Sequence, residues 1–166
     1  LKAEQWLLDT EPGVTVPGWL FVPESPPFAA ANPQVRSRGG KQGPTGSAKK
    51  SPAVVIVHPG GKAALLAERA GLVRGLLARG VVVLALDPRL RGELQRKWYW
   101  NTVIWARPEE GMAAHDLNCA GAWLRSRHQV DPQRVYVVGL GATGPFALFA
   151  AALDAHWAGA ALDAVG

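Results

Sequence analysis

The sequence contains a single cysteine, Cys119. One cysteine excludes an internal disulfide and a zinc site built on several cysteines. Cys119 falls in a helical pattern with Leu117 and Ala120, which predicts a small buried side chain rather than a nucleophile. We predict neither a metal nor a cofactor for this chain.

Long hydrophobic runs are also absent. No apolar run reaches the ~18 residues needed to cross a membrane, and the first residues, LKAEQWLLDT, lack the basic and then apolar layout of a signal peptide. They begin instead like a strand, which suggests a segment of a longer precursor. The 166 residues, 48% of them hydrophobic, predict a single domain over 1–166 without a membrane partner. Nothing in the sequence indicates the compartment.

Acidic residues are missing from the segment 25–52, which accounts for the net charge of +5. Its five basic residues are Arg36, Arg38, Lys41, Lys49 and Lys50. Elsewhere basic and acidic residues are equal in number. The abundance of glycine, proline and serine predicts a flexible basic loop insertion. Because Phe28 is its only aromatic residue, the segment offers little for bases to stack on. We therefore predict no nucleic-acid partner, with a polyanion-binding arm as the alternative.

The rest of the chain alternates between strand and helix patterns. Residues 5–9 and 19–22 flank the turn at Glu11-Pro12-Gly13 and predict an antiparallel hairpin. Continuous apolar runs predict buried strands, and amphipathic stretches predict the helices between them. The predicted strands cover 53–57, 81–86, 134–138 and 158–162, and the predicted helices begin near residues 63, 108 and 145. This order predicts a doubly wound, mostly parallel α/β sheet with helices on both faces.

Three glycines follow the strand at 134–138, within Gly139-Leu140-Gly141-Ala142-Thr143-Gly144. Two kinds of site are built from a strand, a tight turn and a helix. The bend G-x-S-x-G presents a nucleophilic serine beside N–H groups that stabilise an oxyanion. The bend G-x-G-x-x-G brings the backbone against a pyrophosphate. The letters match the second pattern, and Asp163 lies 19 residues beyond Gly144, near the ~20 expected for a ribose-binding acid.

Four stretches carry a likeness to a known family. They are PAVVIVHPGG at 52–61, GVVVLALDPRLRGE at 80–93, the stretch with Asp116, Trp123 and Leu124, and VDPQRVYVVGLGATG at 130–144. In this order they resemble the α/β-hydrolase family, in its dienelactone-hydrolase and acetyl-xylan-esterase-like branch. The resemblance covers most of the chain and implies that fold without its C-terminal strands, and descent from a carboxylesterase. A dinucleotide-binding Rossmann-type domain remains the alternative.

The resemblance places Gly141 where the family has its nucleophilic serine. It also implies that Gly60 and Gly61 belong to the oxyanion loop and that Ala142 offers the second oxyanion N–H. In the family, the catalytic acid and histidine come later, after strands that this chain does not contain. We therefore predict a catalytically impaired, incomplete domain within 1–166 that belongs to a longer polypeptide. The resemblance is compatible with a secreted or periplasmic protein.

Three polar residues, Thr143, His58 and Asp163, are weaker catalytic candidates. Thr143 is predicted to cap N–H groups of the following helix, and His58 to hydrogen-bond the oxyanion loop. Asp163 is predicted to be a loop carboxylate with its hydrogen bonds satisfied. His156 precedes Asp163, which reverses the family's order of acid before histidine, so we predict a surface residue.

Three tryptophans, Trp98, Trp100 and Trp105, lie in a stretch without a clear period that we expect to cross the strand ends. They are candidates to line a substrate site by stacking on a sugar or another flat ligand, and packing onto the domain is the alternative. The predicted ligand is accordingly a small ester or a carbohydrate. A carbohydrate-associated accessory domain without activity is a further alternative. Asp87 and Arg89 are predicted to pair with each other or with loop backbone.

Overall fold

The computed structural model describes residues 2–23, 50–95 and 106–163. Its strands are β1 (Lys2–Glu11), β2 (Val14–Val22), β3 (Ser51–Val57), β4 (Val82–Leu86), β5 (Val130–Leu140) and β6 (Gly159–Asp163). Its helices are α1 (Gly61–Ala78), α2 (Glu109–Arg125) and α3 (Gly144–Leu153). Short 3-10 turns at Gly92–Leu94 and Gly141–Thr143 follow β4 and β5.

All six strands form one sheet in the order β1-β2-β4-β3-β5-β6. The hairpin β1–β2 is antiparallel and joins β4 through an antiparallel pairing with β2. The strands β4, β3, β5 and β6 run parallel to one another. The predicted mostly parallel sheet with an N-terminal hairpin is therefore confirmed. Because the carboxyl ends of parallel strands meet at one edge, the loops after these four strands gather there.

The sheet buries side chains on both of its faces. Residues 53–57 of β3 are all at most 4% exposed. Since successive side chains of a strand point to opposite faces, Val55 and Val57 join the core beneath α2 and α3, and Val54 and Ile56 join the core beneath α1. This two-sided burial explains why the run contains no polar residue, and it confirms helices on both faces.

The helix ends follow local rules. Gly80, with φ +74°, ends α1, and its N–H donates to the Leu77 carbonyl oxygen at 2.9 Å. Glu109 and Glu110 lie in the first turn of α2, where the helix dipole favours acids. Pro145 lies in the first turn of α3, where its missing N–H costs no helical hydrogen bond.

Two sets of predictions fall outside the described residues. Most of the basic segment 25–52 lies there, and so do Trp98, Trp100 and Trp105. The insertion and the substrate-lining role of the tryptophans therefore stay predictions.

Cys119 is half-buried, not fully buried as predicted. Its Sγ lies 3.5 Å from His115 Nε2, one helical turn earlier on α2. Partial burial raises the pKa of the thiol, which disfavours the nucleophilic thiolate.

Within the described ranges, the His, Cys, Asp and Glu side chains form no group of three that could hold a metal ion. None of the helices described is both long and apolar enough to cross a membrane.

Candidate functional site

The chain turns sharply between β5 and α3, at a bend formed by residues 139–144. A Cβ atom at Gly139 would collide with the main-chain oxygen of Thr143 and lie 2.8 Å from Gly144 Cα, so a side chain does not fit there. Gly141 has φ +49°, in the left-handed region that glycine adopts most readily. The nearest atom to a Cβ built at position 141 is Pro59 Cγ, at 3.4 Å. Position 141 therefore has room for a side chain, which would face the loop after β3.

Thr143 lies in this bend with no exposed surface. Its Oγ1 lies 2.7 Å from the Leu140 carbonyl oxygen and 3.0 Å from that of Val57, at the end of β3. No side chain caps the start of α3, so the predicted capping by Thr143 is wrong. The hydroxyl instead joins the ends of β3 and β5, because the bend turns it inward toward strand carbonyls.

The β3 loop, defined as residues 58–62 and so including the first two residues of α1, lies opposite this bend. The Gly60 N–H donates to His58 Nδ1 at 3.1 Å, and the Gly61 N–H donates to the main-chain oxygen of His58 at 2.9 Å. The other ring nitrogen, His58 Nε2, lies 3.4 Å from Glu68 Oε2 on α1. The two glycines thus occupy the place implied for an oxyanion loop, but their N–H groups are paired within the loop.

Lys62, the last residue of the β3 loop, binds Asp87 through its main-chain N–H and its side-chain Nζ. Its N–H donates to Asp87 Oδ1 at 2.6 Å, and its Nζ donates to Asp87 Oδ2 at 2.9 Å and to Glu93 Oε1 at 2.5 Å. The Glu93 N–H donates to Asp87 Oδ2 at 3.0 Å. Asp87 therefore joins the loops after β3 and β4. Of the two partners predicted for Asp87, Arg89 or loop backbone, the structure has loop backbone, through the N–H groups of Lys62 and Glu93.

Arg89 points away from Asp87 and toward α2. Its Nε lies 3.1 Å from Oδ2 of the fully buried Asp116, and its Nη2 lies 2.9 Å from Glu11 Oε1 at the end of β1. The hydrogen bond from Arg89 holds the pKa of Glu11 below its ordinary value. Arg89 thus fastens the hairpin to α2.

The remaining acid and histidine candidates lie at opposite ends of the sheet. Asp163 ends β6 beside Leu140 of β5, and its Oδ2 lies 3.1 Å from Nη2 of Arg69 on α1. His156 precedes β6, which places it at the amino ends of the parallel strands. Its side chain is 78% exposed, and its Nδ1 lies 2.6 Å from Asp154 Oδ1. His156 therefore does not approach the bend.

The residue that sequence reasoning missed is Lys62. Its side chain is 1% exposed although it carries a charge. One signal was available, because a cation in the first turn of a helix opposes the helix dipole and needs an acidic partner. The identity of that partner depends on how the β3 loop meets the end of β4.

No family model matches the sequence, and no curated protein matches it. The fold is similar to solved structures of hydrolases. The α/β hydrolase GrgF from Penicillium sp. sh18 has a TM-score of 0.65 and 22% identity, over 98% of this chain and 45% of that chain. A candidate acetyl xylan esterase from Bacteroides fragilis has a TM-score of 0.68 and 14% identity, over 93% of this chain and 42% of that chain.

A third structure is the dienelactone hydrolase-like promiscuous phosphotriesterase P91 from metagenomic libraries. Its TM-score is 0.60 and its identity 20%, over 97% of this chain and 57% of that chain. The chain thus spans less than two thirds of each of these three structures. Identities this low show the architecture alone. The sheet order, the crossovers and the bend after β5 agree with an α/β-hydrolase architecture. The chain has the α/β-hydrolase fold.

Proposed function

We propose that this chain is an α/β-hydrolase-fold protein of carboxylesterase descent, similar to acetyl xylan esterases and dienelactone hydrolases, whose catalytic centre is impaired. The observation that carries the proposal is Gly141. Its left-handed φ of +49° lies in the turn between β5 and α3, and a side chain built there would face Pro59 of the β3 loop. Hydrogen stands where a nucleophilic oxygen would be needed.

The neighbouring polar groups do not replace that oxygen. The Thr143 hydroxyl is buried against the carbonyls of Val57 and Leu140, so it does not reach a ligand. His58 uses Nδ1 to accept the Gly60 N–H, which leaves that nitrogen unable to take a proton from a nucleophile. We therefore assign Thr143 and His58 a structural role and not a catalytic one.

The β3 loop adds a second impairment. An oxyanion hole needs N–H donors aimed at the ligand oxygen. In the β3 loop the N–H groups of Gly60, Gly61 and Lys62 donate to protein acceptors. Of the described residues predicted to belong to the oxyanion site, Ala142, which is exposed in the turn after β5, is left as the candidate donor. A ligand carbonyl would be held weakly.

The proposed ligand is a small ester or a carbohydrate, bound where the β3 loop faces the bend. In this proposal, the acid and the histidine that the resemblance implies are supplied from outside residues 1–166. The carbohydrate alternative depends on Trp98, Trp100 and Trp105. Quenching of tryptophan fluorescence by xylan oligosaccharides, weakened by Trp100→Ala, would favour that alternative.

The dinucleotide alternative has one observation in its favour, since Asp163 ends the strand next to β5, as a ribose-binding acid would. Two observations weigh against it. Asp163 forms an ion pair with Arg69. A Cβ at Gly144 would come no closer than 3.9 Å to Leu162, so the third glycine is not required for close packing of helix and strand. Isothermal titration with NAD and NADP tests this alternative, and no heat at millimolar cofactor would end it.

Hydrolysis of p-nitrophenyl acetate tests the proposal. We expect the unmodified chain and Gly141→Ala to show only background rates. Gly141→Ser should exceed them by about tenfold, far below an intact esterase, because it supplies the hydroxyl beside the candidate oxyanion donor Ala142 but neither the histidine nor the acid. Turnover by the unmodified chain that persists in Thr143→Ala and His58→Ala would contradict the assigned site, and so would Gly141→Ser at background rate.

A further inference from the structure

Three consecutive N–H groups of the loop that faces position 141 donate to protein acceptors. Within residues 58–62, Pro59 has no N–H group, and the next three N–H groups donate to His58 Nδ1, the His58 main-chain oxygen and Asp87 Oδ1. Buried or partly buried backbone donors are rarely left unpaired, so this pairing is a stable resting arrangement. The loop must lose one of these bonds before it can donate to a ligand oxygen.

The three bonds differ in how easily they can be broken. The Lys62 N–H is bound to the carboxylate of an ion pair that is 1% and 2% exposed, and breaking that pair would leave a charge buried. Gly61 is wedged at φ +80°, where a Cβ atom would collide with Gly92 Cα. The Gly60 N–H is held only by an imidazole ring, which can turn about its own side-chain bonds. Gly60 therefore provides the one donor of the three that a side-chain movement can release.

The His58 ring is held in the tautomer that can accept this bond. A nitrogen that accepts an N–H has no proton of its own, so the proton of the neutral ring lies on Nε2. Nε2 lies 3.4 Å from the carboxylate of Glu68, which favours a proton there. The carboxylate on α1 thus supports the bond between His58 and Gly60.

We propose that His58 is a positioning residue that keeps the β3 loop closed by holding the Gly60 N–H. The inference rests on the proposed function, because it assigns to His58 control over a donor of the ester or carbonyl site. Pro59, next to Gly60, is the residue that a side chain at position 141 would face. Release of Gly60 from His58 would open a donor in the loop that lines the site.

Amide hydrogen exchange by NMR tests this proposal, with His58→Ala as the variant. We expect exchange at Gly60 to accelerate by about tenfold, the effect of losing one ordinary hydrogen bond. Gly61 and Lys62 are internal controls, because their acceptors are a main-chain oxygen and Asp87, which the variant keeps. They should change by less than about twofold. Equal acceleration at all three residues would show general loosening of the loop and would overturn the proposal.

The variant His58→Asn supplies a rescue. An asparagine side-chain oxygen can accept the N–H two residues later, in an Asx turn. We expect His58→Asn to restore slow exchange at Gly60. Failure of His58→Asn to restore it, in a chain that unfolds at the same temperature as the unmodified one, would overturn the proposal.

A measurement on the unmodified chain avoids any risk of misfolding. A hydrogen bond between two nitrogens transmits a scalar coupling, so Gly60 N and His58 Nδ1 should be coupled in a ¹⁵N-labelled sample. Absence of that coupling would overturn the proposal. These NMR results do not depend on ester hydrolysis. Inactivity of Gly141→Ser would count against the proposed function alone, and uniform exchange would count against His58 alone.

Discussion

Lys62 and Asp87 form an ion pair that is almost completely buried. Lys62 Nζ lies 2.9 Å from Asp87 Oδ2, and the two side chains are 1% and 2% exposed. The pair joins the first turn of α1 to the end of β4, beside the β3 loop. It joins the loops after β3 and β4, because Lys62 and the Glu93 N–H bind the same carboxylate.

Removal of one member of this pair should be costly. We expect Lys62→Met to lower the free energy of unfolding by about 3 to 5 kcal/mol, since it leaves the Asp87 carboxylate buried without its counter-ion. Lys50→Met is the control, because Lys50 is exposed and should change stability by less than about 0.5 kcal/mol. Urea unfolding measures both. A loss in Lys62→Met no larger than in Lys50→Met would show that the pair is not buried.

The two glycines at the bend should respond differently to alanine. At Gly139 a Cβ atom meets main-chain atoms that cannot move independently, so we expect Gly139→Ala to cost about 3 kcal/mol or more. At Gly141 the added atom has room, and we expect only the cost of a left-handed residue, about 1 to 2 kcal/mol. Thermal unfolding of the two variants measures the difference. Equal losses would mean that the bend has another geometry.

The pH dependence of stability should change in Glu109→Gln. Burial raises the pKa of Glu109 above its ordinary value of 4.5, although Arg91 Nη2 lies 2.7 Å from its Oε1. The folded state therefore holds the proton more tightly than the unfolded state, and stability is lost as the pH rises through the raised pKa. We expect Glu109→Gln to be more stable than the unmodified chain at about pH 8, with the difference shrinking toward about pH 4.

Glu110→Gln is the second variant for this measurement, since the negative charge of Glu110, in the same helical turn, also raises the pKa of Glu109. Its stability difference from the unmodified chain should change with pH in the same direction but by less, because burial is the larger cause. Thermal unfolding at both pH values gives the comparison. A difference for Glu109→Gln that stays constant across the range would contradict the raised pKa.

The β6 edge should promote self-association. Among the described strands, β6 pairs on one side only, with β5. Its residues 160–162 are exposed, and Leu162 is 48% exposed. Residues 160–162 carry neither charge nor proline, and strand edges of this kind pair readily with other chains. We expect size-exclusion chromatography to show oligomers that Leu162→Lys reduces. Leu153→Lys, on α3, should not reduce them, and a clean monomer of the unmodified chain would refute the expectation.

The sequence predicted the architecture well where burial determines composition. The apolar runs at 53–57 and 81–86 indicated strands buried on both faces, and the structure has them as neighbours. The glycines at the end of β5 and just beyond it indicated a tight turn, and Gly139 shows why, since its surroundings leave no space for a Cβ atom. Both signals, the apolar runs and the glycines, depend on the local sequence. They can therefore be recognised without knowing which distant segments meet.

The sequence was less informative where contacts join distant segments. Asp87 pairs with Lys62 and not with Arg89, because the ends of β3 and β4 are brought together by the crossover through α1. The apolar pattern of α3 predicted one buried face, yet Phe146 is buried while Leu148 and Phe149 are about half exposed, at 52% and 46%. A helix that is apolar on all sides does not reveal which side packs on the sheet.

The location of acetylation tests the central claim most directly. The chain, its Gly141→Ala variant and its Gly141→Ser variant are treated with p-nitrophenyl acetate and digested, and the modified residues are mapped by mass spectrometry. The account predicts an acetyl group on the introduced hydroxyl at position 141 in Gly141→Ser, and no acetylation of Thr143 in any of the three. Identical acetylation patterns in all three proteins, or modification of Thr143 in the unmodified chain, would contradict it.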